Sequence, residues 1–429
     1  MNAKELKAKL YKKISWRILP FLLLCYVFAY LDRVNIGFAK LQMQSDLGFS
    51  DAVYGLGAGI FFIGYALFEV PSNLLLLRVG ARKTFCRILL LWGLTSTCML
   101  FVNNELTFYA LRFLLGVFEA GFAPGMIFYL TYWYAQDRMA RVMGIVMLAA
   151  PLASIFGGPL SAWIMTSSHG ALSLAGWQWM FLIEGLPCVM LGIMVLYVLP
   201  DRPADAKWLS QDEKQLLMQD IDVVDAQHHS FRQVIMDPRV YLLGAAYFTL
   251  IAGIYTVSFW LPTIIRDAGV ADVMSIGLYS SIPYVVAIVA MQVYCRRSDR
   301  LAERRWHTAV PTLISAIALG LSALFSDQLA MSMLLITVAT ATAWMAYTVF
   351  WAIPSQYFSG PAAAGAIALI NTIGLLGGFF GPTIIGYTKT ITNSTQAGLL
   401  VMAALMIVGS LLLAINRKPE DLASTASTH

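Results

Sequence analysis

From Ile18 to Ile415 the chain alternates apolar runs of about twenty residues with short charged or Pro/Gly-rich turns. Each run is long enough to cross the hydrocarbon of a bilayer as a helix. The pattern predicts twelve spans, at 18–38, 54–77, 84–103, 106–133, 139–165, 177–199, 240–263, 273–295, 308–326, 329–352, 362–388 and 396–415. The expected fold class is an all-α membrane protein with twelve transmembrane helices in two six-helix bundles. Residues 1–199 form the first bundle, 200–238 a cytoplasmic linker, and 239–429 the second bundle with a cytoplasmic tail. The first run carries Asp32 and Arg33 and has no small-residue cleavage site behind it, so it reads as a retained span.

Composition removes the soluble alternatives. Hydrophobic residues make up 59% of the chain and charged ones 12%, with a mean hydropathy of +0.70, which describes a protein whose solvent is lipid. The 29 Lys and Arg residues give the orientation, since basic residues collect in short cytoplasmic loops. Lys40, Arg266 and Lys389 fall on one side and Arg33 and Arg112 inside spans; all the others lie on the side of the N-terminus. Both termini are therefore expected in the cytoplasm of a bacterial inner membrane. The net charge of +5 is dispersed among loops, so no nucleic-acid partner is expected.

Cys25, Cys86, Cys98, Cys188 and Cys295 form no CxxC pair and read as small apolar filler. In the linker, Ser210 followed three residues later by Glu213 marks a capping box that opens an amphipathic surface helix, read as a tether between bundles. A weak repeat relates the halves. RVGARK (Arg78 to Lys83) is echoed by SDRLAERR (Ser298 to Arg305), and GGPLS (Gly157 to Ser161) by GGFFGP (Gly377 to Pro382), both at an offset of about 220 residues.

These paired motifs, with RFLLGVFEAG (Arg112 to Gly121), resemble the major facilitator superfamily. YLDRVNIGFA (Tyr30 to Ala39) and FEVPSNLLLLRVGARK (Phe68 to Lys83) narrow the resemblance to its anion:cation symporter family, whose bacterial members take up carboxylates such as sugar acids, tartrate and aromatic acids. The resemblance implies the major facilitator fold, a small organic anion as substrate, protons as the coupling ion, no other cofactor, and a monomer. One position departs from the pattern. Leu77 stands where the superfamily has an acid, while Asp299 keeps that acid in the second half.

Ionisable groups inside hydrocarbon cost at least about 2.5–3.5 kcal/mol each on insertion scales and need a reason. Asp32, Arg33, Glu69, Arg112, Glu119 and Glu184 all lie in the first half, and the repeat counterparts of Asp32, Arg112 and Glu119 are Gly253, Met333 and Thr340. This asymmetry points to function. At a rise of 1.5 Å per residue, Asp32 and Arg112 fall at about the same depth of a roughly 30 Å core. Glu119 lies two turns along the helix from Arg112, with Gly116 between them expected to clear a path. Desolvation favours a protonated carboxyl and a nearby guanidinium opposes it, so proton occupancy can follow substrate and conformation. The expectation is that Asp32 and Glu119 exchange protons while Arg33 or Arg112 holds a substrate carboxylate in a bidentate pair; the alternative is a structural Asp32–Arg112 ion pair with Arg33 snorkelling outward. Glu69 reads as structural, and Glu184 is left unassigned.

The family resemblance adds Tyr30, Tyr65, Thr348, Trp351 and Asn371 as substrate-binding groups of the cavity wall. In the fifth span, Ala149-Ala150-Pro151 replaces a polar amide of some sugar-acid carriers, which favours an aromatic or less hydroxylated acid. Two other classes compete: a facilitator or exporter of a neutral or cationic compound that does not use Asp32 and Glu119, and a membrane enzyme. The second finds no metal-ligand cluster, nucleophile elbow or phosphate loop to support it.

Overall fold

The structure is a computed structural model that describes residues 3–221, 236–301, 303–357 and 360–416. Among the described residues, twelve helices are long and apolar enough to span a membrane: α1 (Glu5–Leu47), α2 (Asp51–Val79), α3 (Ala81–Phe101), α4 (Glu105–Thr131), α5 (Arg141–Ser167), α6 (Gly176–Val198), α7 (Pro238–Asp267), α8 (Val273–Leu301), α9 (Arg305–Leu324), α10 (Leu329–Phe350), α11 (Gly365–Thr392) and α12 (Gln396–Ile415). Their order and number are those the apolar runs predict. The spans alternate in direction, so the N-terminus and the end of α12 share one face, the terminal face; the opposite is the far face.

Two elements differ from expectation. The first span was expected to end at residue 38, but helix continues through Lys40 to Leu47, where Gly48 at φ 68° stops it. The fourth is interrupted: helix runs Glu105–Glu119 and resumes at Phe122–Thr131. Between them Ala120 (φ −54°, ψ 133°) and Gly121 (φ 87°, ψ −4°) take type II turn geometry. Gly121 is required twice there, by its positive φ and because a Cβ would press on the Ser72 side chain of α2.

The repeat is structural. Arg82 at the start of α3 donates to the Leu196 carbonyl near the end of α6, and Arg305 at the start of α9 donates to the Ala414 carbonyl at the end of α12. Asp299 pairs with Arg304 at 2.6 Å. Leu77, in the corresponding first-half position, is exposed to lipid or solvent, and the acid that meets the Arg82 backbone N–H, at 2.9 Å, is Asp201 from the linker.

The linker is more than a tether over its described part. Its helix Gln211–Asp220 opens with the expected capping box, Glu213 N–H donating to Ser210 Oγ and Ser210 N–H to Glu213 Oε2. It docks on the first bundle through Lys13–Glu213 (2.7 Å), Lys7–Asp220 and Tyr11 Oη–Asp220 (2.7 Å), while Trp208 stacks on Trp133. Residues 222–235 of the linker and the tail beyond 416 lie outside the described residues.

The halves meet where α1 crosses α7, α2 crosses α11 and α5 crosses α8. On the far side the seam is close: Tyr54 Oη donates to the Phe259 carbonyl at 2.8 Å, and the Ala52 N–H donates to Thr390 Oγ1 at 2.8 Å.

Candidate functional site

Arg33 sits at the seam between the two halves, 5% exposed. Its Nη2 pairs with Glu119 Oε1, and its Nη1 donates to Tyr255 Oη of the second bundle at 2.7 Å. Aromatic rings surround the guanidinium, with Tyr30, Phe61, Tyr65 and Tyr255 centroids at 4.8, 5.2, 5.6 and 6.0 Å. Arg33 Nε and Glu119 Oε2 are buried without a hydrogen-bond partner among the described residues. The turn at Ala120–Gly121 makes Glu119 the last residue of its helical segment in α4, where its carboxylate reaches Arg33.

Asp32 is adjacent to Arg33 in sequence but points about 100° away around α1, into the first bundle. Its Oδ2 accepts the Cys188 thiol at 3.3 Å, and Trp92 and Ser96 of α3 face the same carboxyl. Cys188 is thus a polar partner, not apolar filler.

Arg112 corrects the expected four-residue cluster. Its Nε and Nη2 donate to the carbonyls of Gly57 and Ala58 on α2, at 3.0 and 3.2 Å, and its guanidinium lies 5.3 Å from the Phe61 ring. Among the described residues it forms no ion pair, so neither Asp32 nor Glu119 is its partner. Depth placed Arg112 and Asp32 level, but azimuth separates them. Gly116 likewise clears no path; it lets α4 pack directly on the Phe61 carbonyl, where a Cβ would collide.

The remaining candidates divide. Tyr30 and Tyr65 belong to the Arg33 cage, and Tyr30 Oη also lies 3.4 Å from Tyr26 Oη. Asn371 crosses the seam to donate to Glu69, at 3.1 Å. Thr348 turns its hydroxyl back onto the Trp344 carbonyl at 2.8 Å, and Trp351 packs edge-on against Tyr247. Glu184 accepts from Asn35 at 3.0 Å and Ser161 at 2.7 Å, clasping α1, α5 and α6.

Sequence reading missed Tyr255 and Lys40. Tyr255 had no charge to mark it in an apolar run. Lys40 was assigned to a loop, yet its side chain is fully buried: Nζ pairs with Asp51 at 2.6 Å, donates to Thr263 at 3.2 Å and lies 3.8 Å from the Trp260 ring centroid. The signal was Gly48, a helix stop ten residues beyond the chosen end.

Comparison with known proteins supports this architecture. The chain is 46% identical over 407 residues to a Pseudomonas putida protein named "Putative metabolite transport protein NicT", covering 94% of this chain and 93% of that one. It is 45% identical over 420 residues to an Agrobacterium vitis protein named "Putative tartrate transporter" (96% and 95% covered), and 40% identical over 406 residues to the "Quinolone resistance transporter" of Acinetobacter baumannii (94% and 93%). The solved structure of a D-xylose-proton symporter superposes with a TM-score of 0.75 at 15% identity over 93% of this chain and 97% of that one, a likeness of fold alone. The protein is a membrane transporter and not an enzyme. The Major Facilitator Superfamily profile matches residues 22–382, and with relatives this similar over nearly its whole length the chain belongs to that superfamily.

Proposed function

We propose that this transporter imports a small organic anion, a carboxylate such as a sugar acid, hydroxy-dicarboxylate or aromatic acid, together with protons by alternating access. It works as a monomer in the bacterial inner membrane with both termini cytoplasmic. The observation that carries the reading is the buried Arg33–Glu119 pair at the seam, touched from the second bundle by Tyr255. A substrate carboxylate and the Glu119 carboxylate need the same guanidinium. Leaving a buried charge unpaired costs about 3–5 kcal/mol, so exchange of one anion for the other is favoured over vacancy. When a proton binds Glu119, Arg33 is freed for the substrate; when the substrate leaves and the proton is lost, Glu119 reclaims Arg33. Asp32 exchanges a second proton from its pocket beside Cys188, and the cage tyrosines with Thr348, Trp351 and Asn371 contact the body of the acid. The names of the P. putida and A. vitis relatives support a metabolite acid as cargo.

The test is Glu119→Gln in proteoliposomes. Tartrate counterflow, which cycles only loaded carrier, is expected to persist, while accumulation driven by a pH gradient is expected to fall to background; pH-driven accumulation at the wild-type level would sink the coupling role.

A second reading is an exporter or facilitator of a neutral or cationic compound, with no proton passing through Asp32 or Glu119. Its support is the quinolone-resistance relative and the aromatic cage. Acid-gradient-driven efflux of a fluoroquinolone that is unaltered in Asp32→Asn and Glu119→Gln would favour it.

A further inference from the structure

Glu69 is a buried carboxylate, 8% exposed, that the proposed cycle does not use. Its described side-chain partner comes from the other bundle: Asn371 Nδ2 lies 3.1 Å from Oε1 and 3.4 Å from Oε2. Packing holds the two opposite each other. Along the antiparallel pair α2 and α11, Gly55 meets Pro382 and Gly386, Gly59 meets Phe379, Phe62 meets Gly378, and Glu69 meets Asn371 as the next such pair toward the terminal face. Glu69 also lies one turn from Tyr65, whose ring is part of the Arg33 cage. Asn371 is only partly buried, and its contact with Glu69 lies one helical turn from a ring of the Arg33 cage.

An Asn amide has a donor end and an acceptor end of nearly the same shape, exchanged by a flip. A carboxylate accepts only. Beside Glu69 the NH₂ end of Asn371 is fixed on the carboxylate, which leaves its carbonyl oxygen as the end free to meet a ligand. A carbonyl oxygen attracts a hydroxyl and repels a carboxylate or ether oxygen.

We propose that Glu69 is a positioning residue for specificity: it fixes the Asn371 amide so that an acceptor faces the substrate, selecting acids that carry a hydroxyl group. This rests on the reading that Arg33 binds a carboxylate. It gives the seam a preference opposite to the one the apolar Ala149-Ala150-Pro151 segment favours.

Tartrate and succinate, which differ only in hydroxyl groups, test it by thermal-shift titration of the purified full chain. Wild type is expected to bind tartrate at least about tenfold more tightly, the worth of one or two hydrogen bonds. In Glu69→Gln, whose amide can offer either end to Asn371, the ratio is expected to fall below about threefold with succinate affinity nearly unchanged. Glu69→Asp, again acceptor only, is expected to recover part of the preference. A structural role alone would weaken both acids equally, so a ratio preserved in Glu69→Gln overturns the proposal, as does a wild type without preference. Should Glu69→Gln show no melting transition, Asn371→Leu carries the same test, and an unchanged ratio there overturns it. If wild type binds neither acid, while a panel of other carboxylates binds and Arg33→Ala abolishes that binding, only the hydroxyl preference fails; if no carboxylate binds, the Arg33 reading fails with it.

Discussion

Replacing Arg112 by Met should cost stability and leave anion affinity nearly intact. Arg112 is fully buried and gives two charge-assisted hydrogen bonds to the Gly57 and Ala58 carbonyls. Each such bond is worth about 1.5–3 kcal/mol. Against the roughly 3–6 kcal/mol lost stands relief of the several kcal/mol needed to bury a guanidinium without an ion-pair partner. The thioether chain also keeps the contact with Phe61. The expected net loss is about 1–3 kcal/mol, or a melting temperature lower by about 5 °C at the 2–4 °C per kcal/mol typical of a bundle of this size. Arg33→Met removes the group proposed to hold the carboxylate; losing a buried charge pair costs about 2–5 kcal/mol, so affinity for the acid should fall about hundredfold. Melting curves of purified variants, titrated with tartrate or with whichever acid the wild type binds, read both quantities. Loss of binding in Arg112→Met at an unchanged melting temperature would refute the assignment.

Lys40 bridges α1, α2 and α7 on the far face through Asp51, Thr263 and Trp260. A desolvated cation–π contact is worth about 2 kcal/mol, so Lys40→Met should loosen the far seam and speed labelling of a Thr263→Cys reporter by an impermeant thiol reagent roughly tenfold or more; an unchanged rate would contradict this. Gly121→Ala should lower stability by at least about 1 kcal/mol from the left-handed conformation alone. Because the added methyl also meets Ser72, Ser72→Gly should recover part of the loss in the double variant; strictly additive losses would show that the close approach carries no energy. The hydrogen bond from Lys7, assisted by Tyr11, holds the Asp220 carboxyl below its usual value of about 3.9. A depressed carboxyl stabilises the docked linker helix above the unfolded value and loses that contribution as pH falls through the lower folded value. Docking should therefore be complete above about pH 5 and weaken below about pH 4, seen as a fluorescence change that is present in wild type and absent in Trp208→Phe. A change that also occurs at the same pH in Asp220→Asn would assign it elsewhere.

The spans were legible because hydrocarbon thickness imposes a minimum apolar length on all of them; the expected 396–415 and the observed Gln396–Ile415 coincide. The end of α1 was not, because Lys40 looked like the start of a loop, whereas partners from α2 and α7 bury it within the protein. At the site, sequence gave the residue types and their depth. It did not give the angle about each helix axis, which turns Asp32 to Cys188, Arg33 to Glu119 and Arg112 to α2. Neutral partners were out of reach for a different reason. Tyr255 and the break after Glu119 depend on which residue faces the seam and on one glycine within an apolar run, and neither alters hydropathy.

Proton-coupled carboxylate transport is tested most directly by wild-type proteoliposomes loaded with labelled tartrate at equal concentration inside and out, then given an acidic exterior. The expected result is net inward movement of the acid with alkalinisation of the medium, abolished when a protonophore collapses the gradient. If a panel of organic acids shows movement only down its own gradient, or none at all, the account is wrong.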